Sequence, residues 1–258
     1  MKTALHYLTT FPGILDAYFQ YSIPGKSISK EIISYQIHNI RDYTHDLHRT
    51  TDDSPFGGGP GMVMKMEPIV ETLKENHLLS SSTTVVLPTP KGKPFTQEIA
   101  HFLSKKENIV FLCGHYEGID DRIFSYVDVP ISLGNFILGG GEIPSIVITD
   151  TVIRLIEGVL GNNLSSQEES FENDQLLEHP NYTRPAIFQN QTVPDVLLSG
   201  HHKNIEEWKR TESLRWTLLL KPELLQKENL SKSDLKKLKT IQTQVNSSIN
   251  QLVNANES

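Results

Sequence analysis

Thirteen consecutive residues, Ser132 to Pro144, read Ser-Leu-Gly-Asn-Phe-Ile-Leu-Gly-Gly-Gly-Glu-Ile-Pro and place Gly134, Gly139, Gly140 and Gly141 ahead of an apolar segment in which Arg154 is the first basic residue. Glycine tolerates positive φ and lets a backbone approach a ligand closely. A glycine loop followed by a positioned cation suits a small polar molecule. The same stretch also suits a tight turn between strand and helix. Asp150, four residues before Arg154, offers that cation a local ion pair instead. Both readings stay open until the other segments are considered.

Three other constellations have chemistry-bearing residues. His45 and His48 lie beside Asp42 and Asp46, but no third ligand falls at a suitable spacing, so no metal site is expected. The run Gly57-Gly58-Gly59-Pro60-Gly61 lacks the Lys-Ser/Thr of a phosphate-binding loop and follows no clear strand, which argues against an ATPase. Cys113 ends the apolar run Ile109 to Cys113, the place of a small buried strand residue rather than a nucleophile. As the only cysteine it excludes an internal disulfide and agrees with a reducing compartment.

The elements that must position these residues come from a globular chain. Its 258 residues are 37% hydrophobic and 21% charged, enough for one large domain or two smaller ones. No apolar run reaches membrane-span length and the N-terminus lacks a signal-peptide pattern, so no membrane partner and a cytoplasmic location are expected. The net charge of −7 excludes a uniformly basic nucleic-acid binder. Between Gly200 and Lys239, however, ten Lys and Arg face six Asp and Glu. That region either touches phosphates or forms a solvated helical face.

Strand candidates run from Ala4 to Leu8, Ile32 to Ile40, Thr83 to Leu87, Ile109 to Cys113 and Val127 to Ile131, and helix candidates from Ile14 to Tyr21, Lys65 to Leu79 and Thr96 to Lys105. Pro144 is placed for the first turn of a further helix reaching Leu160, with Gly161 as its cap. Strand and helix alternate, as in a parallel α/β sheet whose ligand loops follow the strands. Three such loops carry Gly, Pro and polar groups: Leu87 to Gly92, Gly114 to Gly118 and Ser132 to Gly141. Their convergence is a stronger site signal than any one loop. None has dinucleotide-fingerprint spacing. Residues 1–161 form the expected first domain, 162–175 a polar linker, 176–246 a helical domain and 247–258 a polar, frayed tail.

These segments resemble the bacterial tRNA (guanine-N1)-methyltransferases, the TrmD family of the SPOUT class. The resemblance rests on Arg41-Asp42-Tyr43-Thr44, Asp52 to Met62, Cys113 to Asp120, the Ser132 to Pro144 loop, Arg154-Leu155-Ile156, His179 to Pro185 and Leu197 to His202, in family order over roughly residues 5 to 225. It implies an α/β parallel sheet with a deep trefoil knot, plus a smaller, mainly helical C-terminal domain. S-adenosylmethionine would be the cofactor and tRNA the substrate. The protein would be a homodimer with sites at its interface. An association with magnesium comes with the family, although no metal-ligating residues are assigned.

By position, Leu87, Pro88, Thr89 and Pro90, then Gly114, Tyr116, Glu117 and Gly118, then Ser132, Leu133, Gly134, Asn135, Phe136, Ile137, Leu138, Gly140, Gly141 and Pro144 would bind the cofactor. Arg154 matches the functional arginine, and Glu169 stands where the family has its catalytic Asp. Ser165, Glu178, Arg184, His201 and His202 are the expected tRNA contacts. Further departures are His115 for Arg, Asn135 and Phe136 for Asp and Tyr, Gly139 for Ser, Glu178 for Asp, and one extra residue between Phe171 and Leu176.

The implied reaction needs N1 of guanine aligned with an activated methyl and its proton removed. Glu169 would take the proton and Arg154 would stabilise charge on O6. The alternatives are a SPOUT-like RNA-binding protein with weakened or lost methyl transfer and a glycine-rich phosphotransferase. Arg154 together with all three glycine-bearing loops favours the methyltransferase.

Overall fold

The computed structural model describes residues 2–160, 170–171, 176–226 and 230–256. The chain divides into two compact units, Met1–Asn163 and Leu164–Ser258.

In the first unit the elements in chain order are β1 (Thr3–Thr9), α1 (Pro12–Phe19), α2 (Ser22–Ser29), β2 (Ile33–Asn39), the short pair β3 (Asp52–Asp53) and β4 (Val63–Met64), α3 (Met66–Glu75), β5 (Thr83–Pro94), α4 (Gln97–Ser104), β6 (Asn108–Leu112), β7 (Val129–Ser132) and α5 (Glu142–Arg154). Five strands form one parallel sheet in the order β2-β1-β6-β5-β7. The mixed α/β class with a parallel sheet is therefore as expected.

The strand sequences explain why both faces are covered. Side chains alternate across a strand, and β1 is apolar in both phases. Leu5 and Tyr7 join Ile109 and Phe111 under Leu15 and Phe19 of α1, Leu103 of α4 and Ile148 and Val152 of α5. Leu8 joins Val85, Leu87, Val110 and Leu112 under Ile69 and Leu73 of α3. Parallel sheets require such two-sided cover. Each buried Leu or Ile contributes on the order of 1.5–3 kcal/mol. A buried hydrogen bond of 2.6 Å between the Tyr7 hydroxyl and Thr149 ties α5 to the central strand. Thr96 caps α4 by accepting from the Ile99 amide.

Two boundaries and one helix stand out against the sequence expectation. β5 does not stop at Pro88-Gly92: pairing with Ile131 is interrupted after Pro88 and resumes at Lys93. Gly92 allows this return, because a Cβ there would run into the Ile131 backbone. α5 ends at Arg154 rather than Leu160; three-residue turns follow and Gly158 adopts φ +84°. Gly161, the expected cap, lies outside the described residues. α2 was not expected, because Pro24 and Gly25 obscure it. Pro24 falls in its first turn, where no intrahelical amide is needed.

The second unit contains the hairpin Ile187–Phe188 with Gln191–Thr192 and the helices Asp195–Leu198, His202–Leu220 and Lys232–Asn256. The last helix continues to Asn256, into the stretch expected as a polar tail. Leu176, Leu214, Leu238 and Ile241 make its core. Ser231 and Asp234 exchange capping hydrogen bonds. Arg210 donates to both Asp234 oxygens at 2.9 Å, which holds that carboxyl down at about 2. Lys209, Arg210, Arg215, Lys221 and Lys237 all form ion pairs within the unit. Among the described residues, these five cations thus face the unit's own carboxylates.

Candidate functional site

The strands β5, β6 and β7 are neighbours in the sheet, so the loops leaving their C-terminal ends meet. Together they line a cavity of about 400 Å³, within the ~300–1,000 Å³ range of small-molecule sites. Leu87, Ile131 and Leu133 give it apolar walls, while the glycine segments present backbone amides and carbonyls. Gly118 and Gly134 adopt φ of +116° and +145° and Tyr116 adopts +57°. Two of the loops are joined directly, since the Gly141 amide donates to the Gly114 carbonyl at 2.8 Å.

The approach at Gly141 is so close that a Cβ there would lie 2.6 Å from the Cys113 Cα. Glycine is a steric requirement at that position. The Asp52 to Met62 segment reaches the same place by backbone pairing. Glu117 donates its amide to Met62, and Met64 donates to Gly118. Gly61, at φ +85°, leaves room for the Glu117 side chain. The long glycine run is therefore a neighbour of the cavity and not a phosphate loop of its own.

A polar network lies beneath the loops. Glu142, at the start of α5, is 2% exposed. Its carboxylate accepts from Thr9 Oγ1 at 2.5 Å and from His115 Nε2 at 2.6 Å. Thr9 Oγ1 also accepts from the Phe11 amide, and the Phe11 ring lies 4.6 Å from the His115 ring. Cys113 is buried beside this carboxylate. Burial first, and Glu142 second, push its thiol far up, so it stays protonated and is no nucleophile.

At the rim, Lys91 Nζ holds Asp121 at 2.7 and 2.8 Å, tying the tip of the β5 loop to the Asp121–Tyr126 turn. Neither Glu142 nor the Lys91–Asp121 pair was found from sequence. Their partners lie 133, 27 and 30 positions away, a separation no local pattern reports.

Of the residues expected to bind a cofactor, Leu87, Pro88, Thr89, Pro90, Gly114, Tyr116, Glu117, Gly118, Ser132, Leu133, Gly134, Phe136, Ile137, Leu138, Gly140, Gly141 and Pro144 line the cavity; Asn135 is exposed and does not. Arg154 is not in the lining either. It stands at the opposite end of α5 from Glu142. Asp150, the local partner expected for Arg154, accepts from the Tyr18 hydroxyl at 2.9 Å.

Ser165 and Glu169 lie outside the described residues. Glu178, Arg184, His201 and His202 belong to the second unit. Glu178 accepts from Asn181 at 2.6 Å, its amide donates to Ser170, and Arg184, His201 and His202 are exposed. The carboxylates near His45 and His48 are used locally. Asp42 pairs with Arg49, and Asp46 accepts from the amides of His48 and Thr50. Among the described residues no group of three or more His, Cys, Asp or Glu could hold a metal ion, and no helix is long and apolar enough to cross a membrane.

A family profile described as tRNA (Guanine-1)-methyltransferase TrmD matches residues 2–227. The chain is 50% identical over 238 residues to the tRNA (guanine-N(1)-)-methyltransferase of Clostridium tetani, covering 92% of this chain and 98% of that protein. It is 50% identical over 232 residues to the protein of the same name from Clostridium beijerinckii, covering 90% and 96%. The Clostridium botulinum Hall protein of that name is 49% identical over 232 residues, covering 90% and 95%. A match across nearly the whole chain, including all three cavity loops, means that the chain belongs to the tRNA (guanine-1)-methyltransferase family.

Proposed function

We propose that this enzyme transfers the methyl group of S-adenosylmethionine to N1 of the guanosine immediately 3′ of the anticodon, position 37, of tRNA. The observation carrying this is the convergence of the three loops on one cavity in a chain of this family. The family implies an S-adenosylmethionine methyl donor. The cavity's apolar walls and exposed backbone groups fit a molecule with an adenine ring at one end and an amino acid at the other. When bound, the cofactor supplies an activated sulfonium methyl.

The remaining chemistry falls to this chain's residues. The loops hold the donor, Glu169 takes the N1 proton, and Arg154 stabilises charge developing on O6. Once relieved of its proton, N1 would be the nucleophile that these residues hold toward the donor's methyl. Ser165, Glu178, Arg184, His201 and His202 contact tRNA. Any magnesium ion would rely on Glu117 and on oxygens of the bound molecules, since Asp121, the other acidic residue lining the cavity, is held by Lys91.

The deep trefoil knot is proposed to run through the β5, β6 and β7 loops. The β5 strand's interrupted return beside Ile131 and the close Gly141–Gly114 contact support it. The homodimer is supported by exposed apolar side chains on the neighbouring helices α1 and α5. Ile14, Ile143 and Val147 are each about half exposed, and Ile137 is 84% exposed. Surfaces of this kind mark interfaces. A second copy could bring its Arg154 to a cavity that lacks one in its lining. The substrate sets a cytoplasmic location.

Radiolabel from S-adenosylmethionine, carrying label on the methyl, should enter unmodified tRNA with guanosine at position 37. It should not enter the same tRNA with another base there. Parallel reactions with chelator decide the role of magnesium. Binding of tRNA without label transfer would instead support an RNA-binding protein that has lost catalysis.

A further inference from the structure

Granted that the cavity takes S-adenosylmethionine, we propose that His115 is a positioning residue which, through Glu142, locks the β6 and β7 loops in their cofactor-binding arrangement. A carboxylate only accepts hydrogen bonds. At 2.6 Å the His115 Nε2 must therefore carry the hydrogen directed at Glu142 Oε2. The other oxygen, Oε1, accepts from Thr9 at the end of β1. One side chain on the β7–α5 connection is thereby clamped to the β6 loop and to the central strand.

The glycines fit around this clamp. A Cβ on Gly140 would overlap the His115 ring, and a Cβ on Gly141 would meet the Cys113 and Gly114 backbone. The Phe11 ring packs against the imidazole at 4.6 Å. His115 is thus held between Gly140 and Phe11 by packing. Glu142 is 2% exposed and His115 15%, so water does not readily replace a missing donor. Loss of that donor leaves a buried acceptor short of a partner. The segment free to relieve it is the one that carries Gly139 to Gly141 into the cavity.

The test titrates S-adenosylhomocysteine into the full-length protein by calorimetry, comparing wild type with His115→Leu and His115→Gln. Gln places a donor nitrogen at about the reach of Nε2, whereas Leu fills space without donating. The Leu variant should bind about 10-fold or more weakly and Gln within about threefold of wild type. The KM for tRNA at saturating cofactor should not move. Wild-type affinity in His115→Leu, or a Gln variant as weak as Leu, overturns the proposal. Failure of wild type itself to bind S-adenosylhomocysteine overturns the cofactor assignment instead.

Should His115→Leu fail to fold, the wild-type protein still provides a readout by NMR. The His115 Nε2–H proton, assigned by its absence in His115→Gln, should exchange more slowly with water when S-adenosylhomocysteine is bound. Unchanged exchange counts against the lock.

Discussion

Pro144 and Arg154 stand at opposite ends of the same helix: Pro144 lines the cavity and Arg154 does not. Ten residues of α-helix separate them by about 15 Å. The helix is buried along Ile148, Val152 and Ile153, so it cannot pivot to bring its own arginine around. On the proposed roles of the two ends, catalysis would draw on two chains.

Subunit complementation tests this. Arg154→Ala and Gly141→Val should each be inactive alone. Unfolded together and refolded as a mixture, they should recover about one quarter of wild-type activity, because half the dimers are mixed and each of those holds one intact site. No recovery, with mixed dimers confirmed by mass, would place the arginine's partner cavity in its own chain.

The cavity glycines should differ sharply in tolerance. Gly141→Ala sets its new methyl against backbone atoms 2.6 and 2.7 Å away. The loop must move by roughly 1 Å, a shift that can cost on the order of 10²-fold in rate. Such overpacking should also lower stability by about 1–3 kcal/mol. Gly139 has nothing within 4 Å of its missing Cβ, so Gly139→Ala or Gly139→Ser should keep S-adenosylhomocysteine affinity within about twofold, as exposed sites without special geometry do. Calorimetric titration and thermal melts of the three variants provide both comparisons.

The contrast between those glycines also shows what the sequence could reveal. Alternating apolar residues in both phases of β1 and β6 are enough to predict a buried parallel sheet, and glycine-bearing loops after β5, β6 and β7 are enough to predict where a ligand sits. Contacts between distant segments are not written locally. Nothing near Glu142 marks it as a buried carboxylate held by Thr9 and His115, and an acidic residue opening a helix reads equally well as a solvated first-turn charge. The return of β5 was hidden because two prolines and a glycine ordinarily end a strand, whereas here Gly92 is what lets the chain come back beside Ile131. The early end of α5 was hidden for the opposite reason: Leu155, Ile156, Val159 and Leu160 continue the helical period while the backbone turns.

His6 and His38 form a titrating pair away from the cavity, on the neighbouring strands β1 and β2. Their rings stack at 5.5 Å and His6 Nδ1 lies 3.2 Å from His38 Nε2. One ring donates and the other accepts, so the accepting ring must be neutral. Burial, joined by the neighbouring His6, lowers His38 from 6.5 to about 4; burial lowers His6 as well.

The folded state thus binds fewer protons than the unfolded chain, so stability rises with pH across this window. The contribution is complete above about 6.5 and is lost as pH falls toward 4. Denaturant unfolding should show a loss on the order of 1–2 kcal/mol over that range. His38→Gln should flatten the slope, and an unchanged slope would assign the acid sensitivity to other groups.

Glu169 carries the last prediction. It lies outside the described residues; on the proposal above it takes the N1 proton, at the position where the family resemblance implies an Asp. A carboxylate one methylene longer still accepts a proton, but its oxygen must be drawn back by rotamer or backbone to meet N1. Glu169→Gln keeps the size and removes the basicity. Single-turnover methyl transfer should therefore fall by about 10²–10⁴-fold, the usual contribution of a general base, while S-adenosylhomocysteine affinity stays at the wild-type value. Glu169→Asp should retain more activity than Gln, because reach can be recovered by small movements and basicity cannot. If the Gln variant keeps its single-turnover rate, proton removal belongs to another carboxylate, and Glu168→Gln is the variant that would then lose it.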